Sequence, residues 1–184
     1  MKRSRKVRWL MMIVLVLIIG ILFFVYKNQS LKNPIPEALT NFTAQNSVPI
    51  PITLDTPYIN KTYGFSFKHP ADFTVGEIQE ETHTTFLVQK QDGSQGIQIS
   101  VSSFDEAVVT KERIKQDVPD IVIEQESPIE IEGVQAGLAF ISNGAGAGKS
   151  REVWFSYKGH LYQATTLIAH DSILKSILAT WNFE

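Results

Sequence analysis

Thr84-Thr85-Phe86-Leu87-Val88-Gln89, then Asp92-Gly93, then Gly96-Ile97-Gln98-Ile99-Ser100-Val101-Ser102 is the stretch whose reading decides the fold. Two runs of strand-favouring residues flank an Asp-Gly pair, the strongest short-range signal for a β-hairpin. In the second run Ile97, Ile99 and Val101 alternate with Gln98, Ser100 and Ser102. A period of two puts the apolar residues on one face and the polar ones on the other, as in an antiparallel sheet with one dry side.

Working outward, the same alternation recurs. Phe65 and Phe67 alternate with Ser66 and Lys68, and Pro70 ends that strand. Further strands are expected at 121–126, 129–131, 134–142, 152–157 and 160–168, with turns at Glu132-Gly133 and Lys158-Gly159. Helices are expected over 106–118, stopped by Pro119, and after Asp171 as a capping residue. In the latter, Ile173, Leu174, Ile177, Leu178 and Trp181 share one face. Strand runs with two helices laid on the sheet read as an α+β domain over residues 58–184.

Upstream the composition changes twice. Residues 27–57 hold five of the eight prolines and sustain no period, so they read as a Pro-rich tether. Trp9 to Tyr26 is an uncharged run with thirteen Leu, Ile, Val or Phe residues, preceded by Lys2, Arg3, Arg5, Lys6 and Arg8. On an insertion scale such a run favours the bilayer by roughly 4 to 8 kcal/mol. Eighteen residues at a 1.5 Å rise cover about 27 Å, near the hydrocarbon thickness. The expectation is a basic tail at 1–8 in the cytoplasm, an uncleaved transmembrane helix at 9–26, and the rest outside the cell membrane. No Ala-x-Ala cleavage pattern follows the run, and the chain has no cysteine for a lipid anchor or a disulfide.

Removing the basic tail leaves 12 basic against 19 acidic residues, a net −7. An exported domain of that sign is not expected to bind nucleic acid. The sequence Asn143-Gly144-Ala145-Gly146-Ala147-Gly148-Lys149-Ser150 ends like a phosphate-binding loop. Asn143 stands where the first glycine belongs, and Arg151 to Tyr157 alternates like a strand instead of opening a helix, so the nucleotide site is rejected. Two readings of the segment remain: a plain hairpin tip, or a backbone nest accepting an anion or a partner's carboxylate. Under the second, Gly144, Gly146, Gly148, Lys149 and Arg151 are the candidate contacts. Trp154 joins them if one sheet face is open, and is buried with Phe155 if both faces are covered.

His69, His83, His160 and His170 do not pair at metal-ligand spacing, and no cofactor is expected. Glu124/Glu126 and Glu130/Glu132 lie two apart and mark the wet side of strands. No serine sits in a nucleophile motif, so no catalytic residues are assigned.

Two segments carry a family resemblance. Tyr63-Gly64-Phe65-Ser66-Phe67-Lys68-His69-Pro70-Ala71-Asp72-Phe73 resembles the opening motif of bacterial membrane-anchored PsbP-like domains, with Phe73 where Trp is usual. Ile173-Leu174-Lys175-Ser176-Ile177-Leu178-Ala179-Thr180-Trp181-Asn182-Phe183 is similar to their closing segment, with Trp181 where Phe is usual. The resemblance implies an antiparallel sheet flanked by helices on both sides, an α/β/α sandwich, and a non-catalytic module. Plant relatives assist assembly and ion retention at photosystem II, but no family functional residue transfers to this chain. The expected function is a membrane-anchored extracytoplasmic binding or assembly module whose partner is another envelope protein or a cell-envelope component. The alternative is an extracytoplasmic enzyme or small-ligand binder with a site assembled from distant residues.

Overall fold

The computed structural model describes residues 52–131, 134–144 and 148–184. The expected basic tail, transmembrane helix and nearly all of the tether lie outside the described residues, as does the turn at Glu132-Gly133. Among the described residues no helix is long and apolar enough to cross a membrane. The chain parts into two compact units, one made of 51–143 with 149–184. Of the other unit, 1–50 with 144–148, only Gly144 and Gly148 are described, as strand ends.

The first strands are β1 (Thr56–Asn60), β2 (Phe65–His69), β3 (Phe73–Gln79), β4 (His83–Lys90) and β5 (Gly96–Ser103). After α1 (Lys111–Asp117) come β6 (Glu124–Ile131), β7 (Val134–Gly144), β8 (Gly148–Tyr157) and β9 (His160–Leu167). A 3₁₀ turn (Ile168–His170), α2 (Asp171–Leu178) and β10 (Asn182–Phe183) close the chain. They build two sheets, ordered β1-β2-β10 and β3-β4-β5-β9-β8-β7-β6. Every pairing with a resolved register is antiparallel.

This corrects the expected α+β sandwich of one sheet flanked by helices. Strands take 56% of the described residues and helix 14%. The helix expected over 106–118 shrinks because Thr110, accepting a hydrogen bond from the Arg113 N–H at 3.2 Å, caps it five residues late. Asp171 does not cap α2: His170 occupies that position, without a side-chain bond. β1 and the C-terminal β10 also pair with β2 as a separate small sheet, which local periodicity does not reveal.

Turn chemistry follows the sequence closely. Lys158 (φ 45°) and Gly159 (φ 78°) both take the left-handed conformation that a two-residue hairpin turn requires. β6 combines Pro128, a left-handed Gln125 and two register shifts, features tolerated at its sheet edge.

The main core lies on one face of the large sheet. There Phe86, Ile99, Val101, Phe155 and Tyr162 meet Phe65 and Phe67 of the small sheet and Ile173, Leu174 and Ile177 of α2. The opposite face is covered over β7, β8 and β9 by a strap carrying Phe104, Val109 and Ile114, which pack on Phe140, Trp154 and Leu161. Thus Trp154 (6% exposed) and Phe155 (3%) are both buried, on opposite faces. Full burial of each such side chain favours folding by roughly 1.5 to 3 kcal/mol.

β7 changes face midway. Ala136 belongs to the main core, whereas Phe140 belongs to the second cluster. The register moves from Glu130↔Gln135 to Ile129↔Gly137, leaving Ala136 as a bulged residue. Next to it, Gly137 passes so close to β8 that a Cβ would lie 1.9 Å from the Trp154 carbonyl oxygen.

Candidate functional site

Of the glycine-loop candidates, the described side chains of Lys149, Arg151 and Trp154 go to three different partners. Gly144 ends β7 and Gly148 (φ 89°) begins β8, while Gly146 lies outside the described residues. Lys149 Nζ sits 2.6 Å from Glu124 Oε2 on β6. Arg151 points to the other end of the chain, its Nε 3.0 Å from Asp171 Oδ1 at the start of α2. Both cations therefore already hold carboxylates. Trp154 is buried and donates its Nε1–H to Glu152 Oε2 at 3.2 Å. Strand alternation explains the dispersal, since Arg151 and Trp154, three apart on β8, point to opposite faces.

The same alternation buries a carboxylate that the sequence reading passed over. Glu152 (8% exposed) accepts from Ser150 Oγ at 2.7 Å on one oxygen. Its other oxygen accepts from Thr165 Oγ1 at 2.6 Å and from Trp154 Nε1. Burial raises its pKa above the ordinary value, and the bonds from Thr165, Ser150 and Trp154 offset this only in part. The signal was legible: Glu152 is two residues from Trp154 on a strand and so shares its face.

Convergent polar side chains gather elsewhere, in a cleft of about 260 Å³ at one end of β4, β5 and β9. The tight β3–β4 connection, closed by the Glu80 N–H donating to the His83 carbonyl at 2.9 Å, presents Glu80, Glu81 and His83. The ends of β5 and β9 add Ser102, Ser103 and His160, the last two paired across the strands. Tyr63, from the β1–β2 connection, and Thr84 share a hydrogen bond of 2.7 Å on the cleft wall. His83 Nε2 lies 3.6 Å from Glu80 Oε1. The His160 ring stands edge-on to Tyr63 at 5.3 Å, and its buried Nδ1 has no hydrogen-bond partner. No Lys or Arg lines the cleft among the described residues. Sequence reading missed the group because positions 63, 80–84, 102–103 and 160 meet only through sheet topology.

A larger cleft of about 590 Å³ lies between 52–55, the 70–73 turn and the start of α2. Its Asp72 already faces Lys90 at 3.6 Å. Among the described residues no three His, Asp or Glu side chains come together as a metal site.

No protein-family model and no curated protein sequence matches the chain. The fold is similar to the solution structure of cyanobacterial PsbP (CyanoP) from Synechocystis sp. PCC 6803, with a TM-score of 0.51. That likeness has 8% sequence identity and spans 77% of this chain and 98% of the other. The chain therefore has a PsbP-like fold, and at that identity the likeness concerns the fold alone.

Proposed function

We propose that this chain is a single-pass membrane protein that displays its folded domain outside the cytoplasm as a non-catalytic binding module for an envelope component. The 260 Å³ cleft carries the reading, because polar side chains from four separate segments converge there. The apolar run at 9–26 and its basic flank support the location. The loop at 144–148 is no longer the preferred contact surface, since Lys149 and Arg151 are occupied by Glu124 and Asp171.

The enzyme reading has one observation in its favour, the approach of His83 to Glu80 beside His160. A catalytic acid or base needs a pKa tuned to its task. The carboxyl whose pKa is raised, Glu152, lines neither cleft.

The test is site-specific photocrosslinking of the full chain in its native membrane, with the probe at Gln79 on the cleft rim or at Asn143 beside the glycine loop. Capture of one dominant envelope partner from Gln79 and not from Asn143 is the expected result. Capture of nothing from Gln79 overturns a binding role for the cleft toward an envelope macromolecule.

A further inference from the structure

We propose that the open edge of β3 pairs with the same edge of a second copy of this chain, antiparallel and about a two-fold axis at Gly76. This goes beyond the cleft reading and does not rest on it. Among the described residues, the other sheet edges are all blunted. β6 carries Pro128, a left-handed Gln125 and two register shifts, β1 carries Pro57, and β10 is two residues long. Such devices keep an edge from pairing. β3 has neither proline nor bulge: its seven residues keep an unbroken register with β4, and Glu77 is its one charge.

The hydrogen-bond phase shows what this edge offers. The Glu80 N–H donates to the His83 carbonyl and the Gln91 N–H to the Asp72 carbonyl. In this antiparallel ladder the even-numbered residues of β3 therefore bond to β4. The backbone N–H and C=O groups of Val75, Glu77 and Gln79 point away from β4, where no further strand follows, and residues 76–79 are exposed. An unpaired row of this kind accepts an added strand.

The strand's own sequence selects a second copy as that occupant. Two-fold pairing at Gly76 sets Val75 opposite Glu77, Thr74 opposite Ile78 and Phe73 opposite Gln79, so the whole of β3 is used. Val75 and Glu77 both present outward groups, so each of these pairs exchanges two hydrogen bonds. An axis at Glu77 would set two carboxylates directly opposite each other. The axis at Gly76 moves them to the diagonal, about 7 to 8 Å apart, and faces each with a valine. Gly76 then meets its copy at a non-hydrogen-bonded pair, where Cα atoms approach to about 4.5 Å. Seven residues a side is fewer than the roughly 20 to 30 of a standard interface. The pairing is therefore weak in dilute solution and is favoured where copies share a membrane that raises their local concentration.

The chain has no cysteine, so an introduced one reports on its own neighbour. A Cβ at Gly76 meets nothing within 4 Å, so Gly76→Cys leaves the fold in place. Full-length variants are treated with a mild oxidant in their native membrane and separated without reductant. The separation on the axis lies within the roughly 4.4 to 6.8 Å that a disulfide spans. Gly76→Cys should give a disulfide-linked dimer roughly fivefold or more above Ile59→Cys, an exposed position on β1 away from the axis. Thr74→Cys and Ile78→Cys chains made together should crosslink to each other, and each alone far less, because only the mixed pair lies opposite in this register. Gly76→Cys dimer at the Ile59→Cys level overturns the inference. A Gly76→Cys dimer without the Thr74–Ile78 crosslink overturns the register and with it the axis. Self-capture by the Gln79 probe belongs to this edge, whereas capture of a different protein there belongs to the cleft, so either reading can fall while the other stands.

Discussion

Single side chains in this domain are held by constraints that a sequence window does not display. Gly137 is the sharpest, because any Cβ there collides with the backbone of Trp154 and Phe155. Gly137→Ala should destabilise the domain by about 3 kcal/mol, in the range of severe backbone or packing defects. Urea unfolding checks this, and a change below 0.5 kcal/mol (about the noise of surface substitutions) would refute the close approach. Trp181 is the opposite case. Its ring stacks on Phe65 with centroids 4.5 Å apart, but its buried Nε1–H has no partner. Trp181→Phe should therefore be close to neutral, since it removes an unmet donor along with some packing area. Trp181→Ala should cost roughly 3 to 5 kcal/mol.

Among the elements, α1 owes little to its own propensity. Seven residues are too few for a stable isolated helix, and only Ile114 is buried. It is fastened at its ends. Thr110 caps it, and Arg113 binds Asp117, Asp105 and Glu106 while lying over the Phe104 ring at 4.5 Å. Arg113→Gln should release the strap without unfolding the sheet. Amide exchange should accelerate across 104–118 and leave β4, β5 and β9 protected. Uniform acceleration across all of these elements would show instead that the strap and sheet open as one unit. Thr110→Ala, by loss of the cap alone, should cost about 1 kcal/mol.

At the scale of the whole molecule, two carboxyls set opposed pH dependences. Glu152 has a raised pKa, so the folded state binds its proton more tightly than the unfolded state does. The associated stability is fully present below the ordinary value of 4.5 and is lost as pH rises through the raised one. Asp171 is also pushed upward by burial, but Lys175 and Arg151 outweigh this and lower its pKa. Its contribution is present above the ordinary 3.8 and is lost as pH falls through the lowered value. Glu152→Gln keeps one acceptor for Thr165 and Trp154 and gives Ser150 a donor. Ser150 Oγ then donates to the Ser142 carbonyl, 3.4 Å away. This variant should be more stable than the parent at pH 7, with the two converging near pH 4. Parallel denaturation midpoints across that range would show that Glu152 does not titrate with folding.

The hairpins were legible because their determinants are local. Asp92-Gly93 and Lys158-Gly159 supply turn conformations, and alternation in 97–101 names its buried face whatever lies opposite. The aromatic positions at 63–73 and 173–183 likewise carried a resemblance of which the PsbP-like fold, and no more, is supported. What stayed hidden depends on partners distant in the chain. Whether Trp154 faces solvent rests on a strap at 104–114, far earlier in the chain, and Arg151 is spent on an aspartate twenty residues later. The cleft exists only where the β3–β4 turn meets the ends of β5 and β9. Local chemistry determined the turns, the strand faces and the charge of this protein, because each rests on near neighbours. The tertiary structure alone decided which polar groups are already satisfied and which line a cleft, because that balance is struck between residues that only the folded chain brings together.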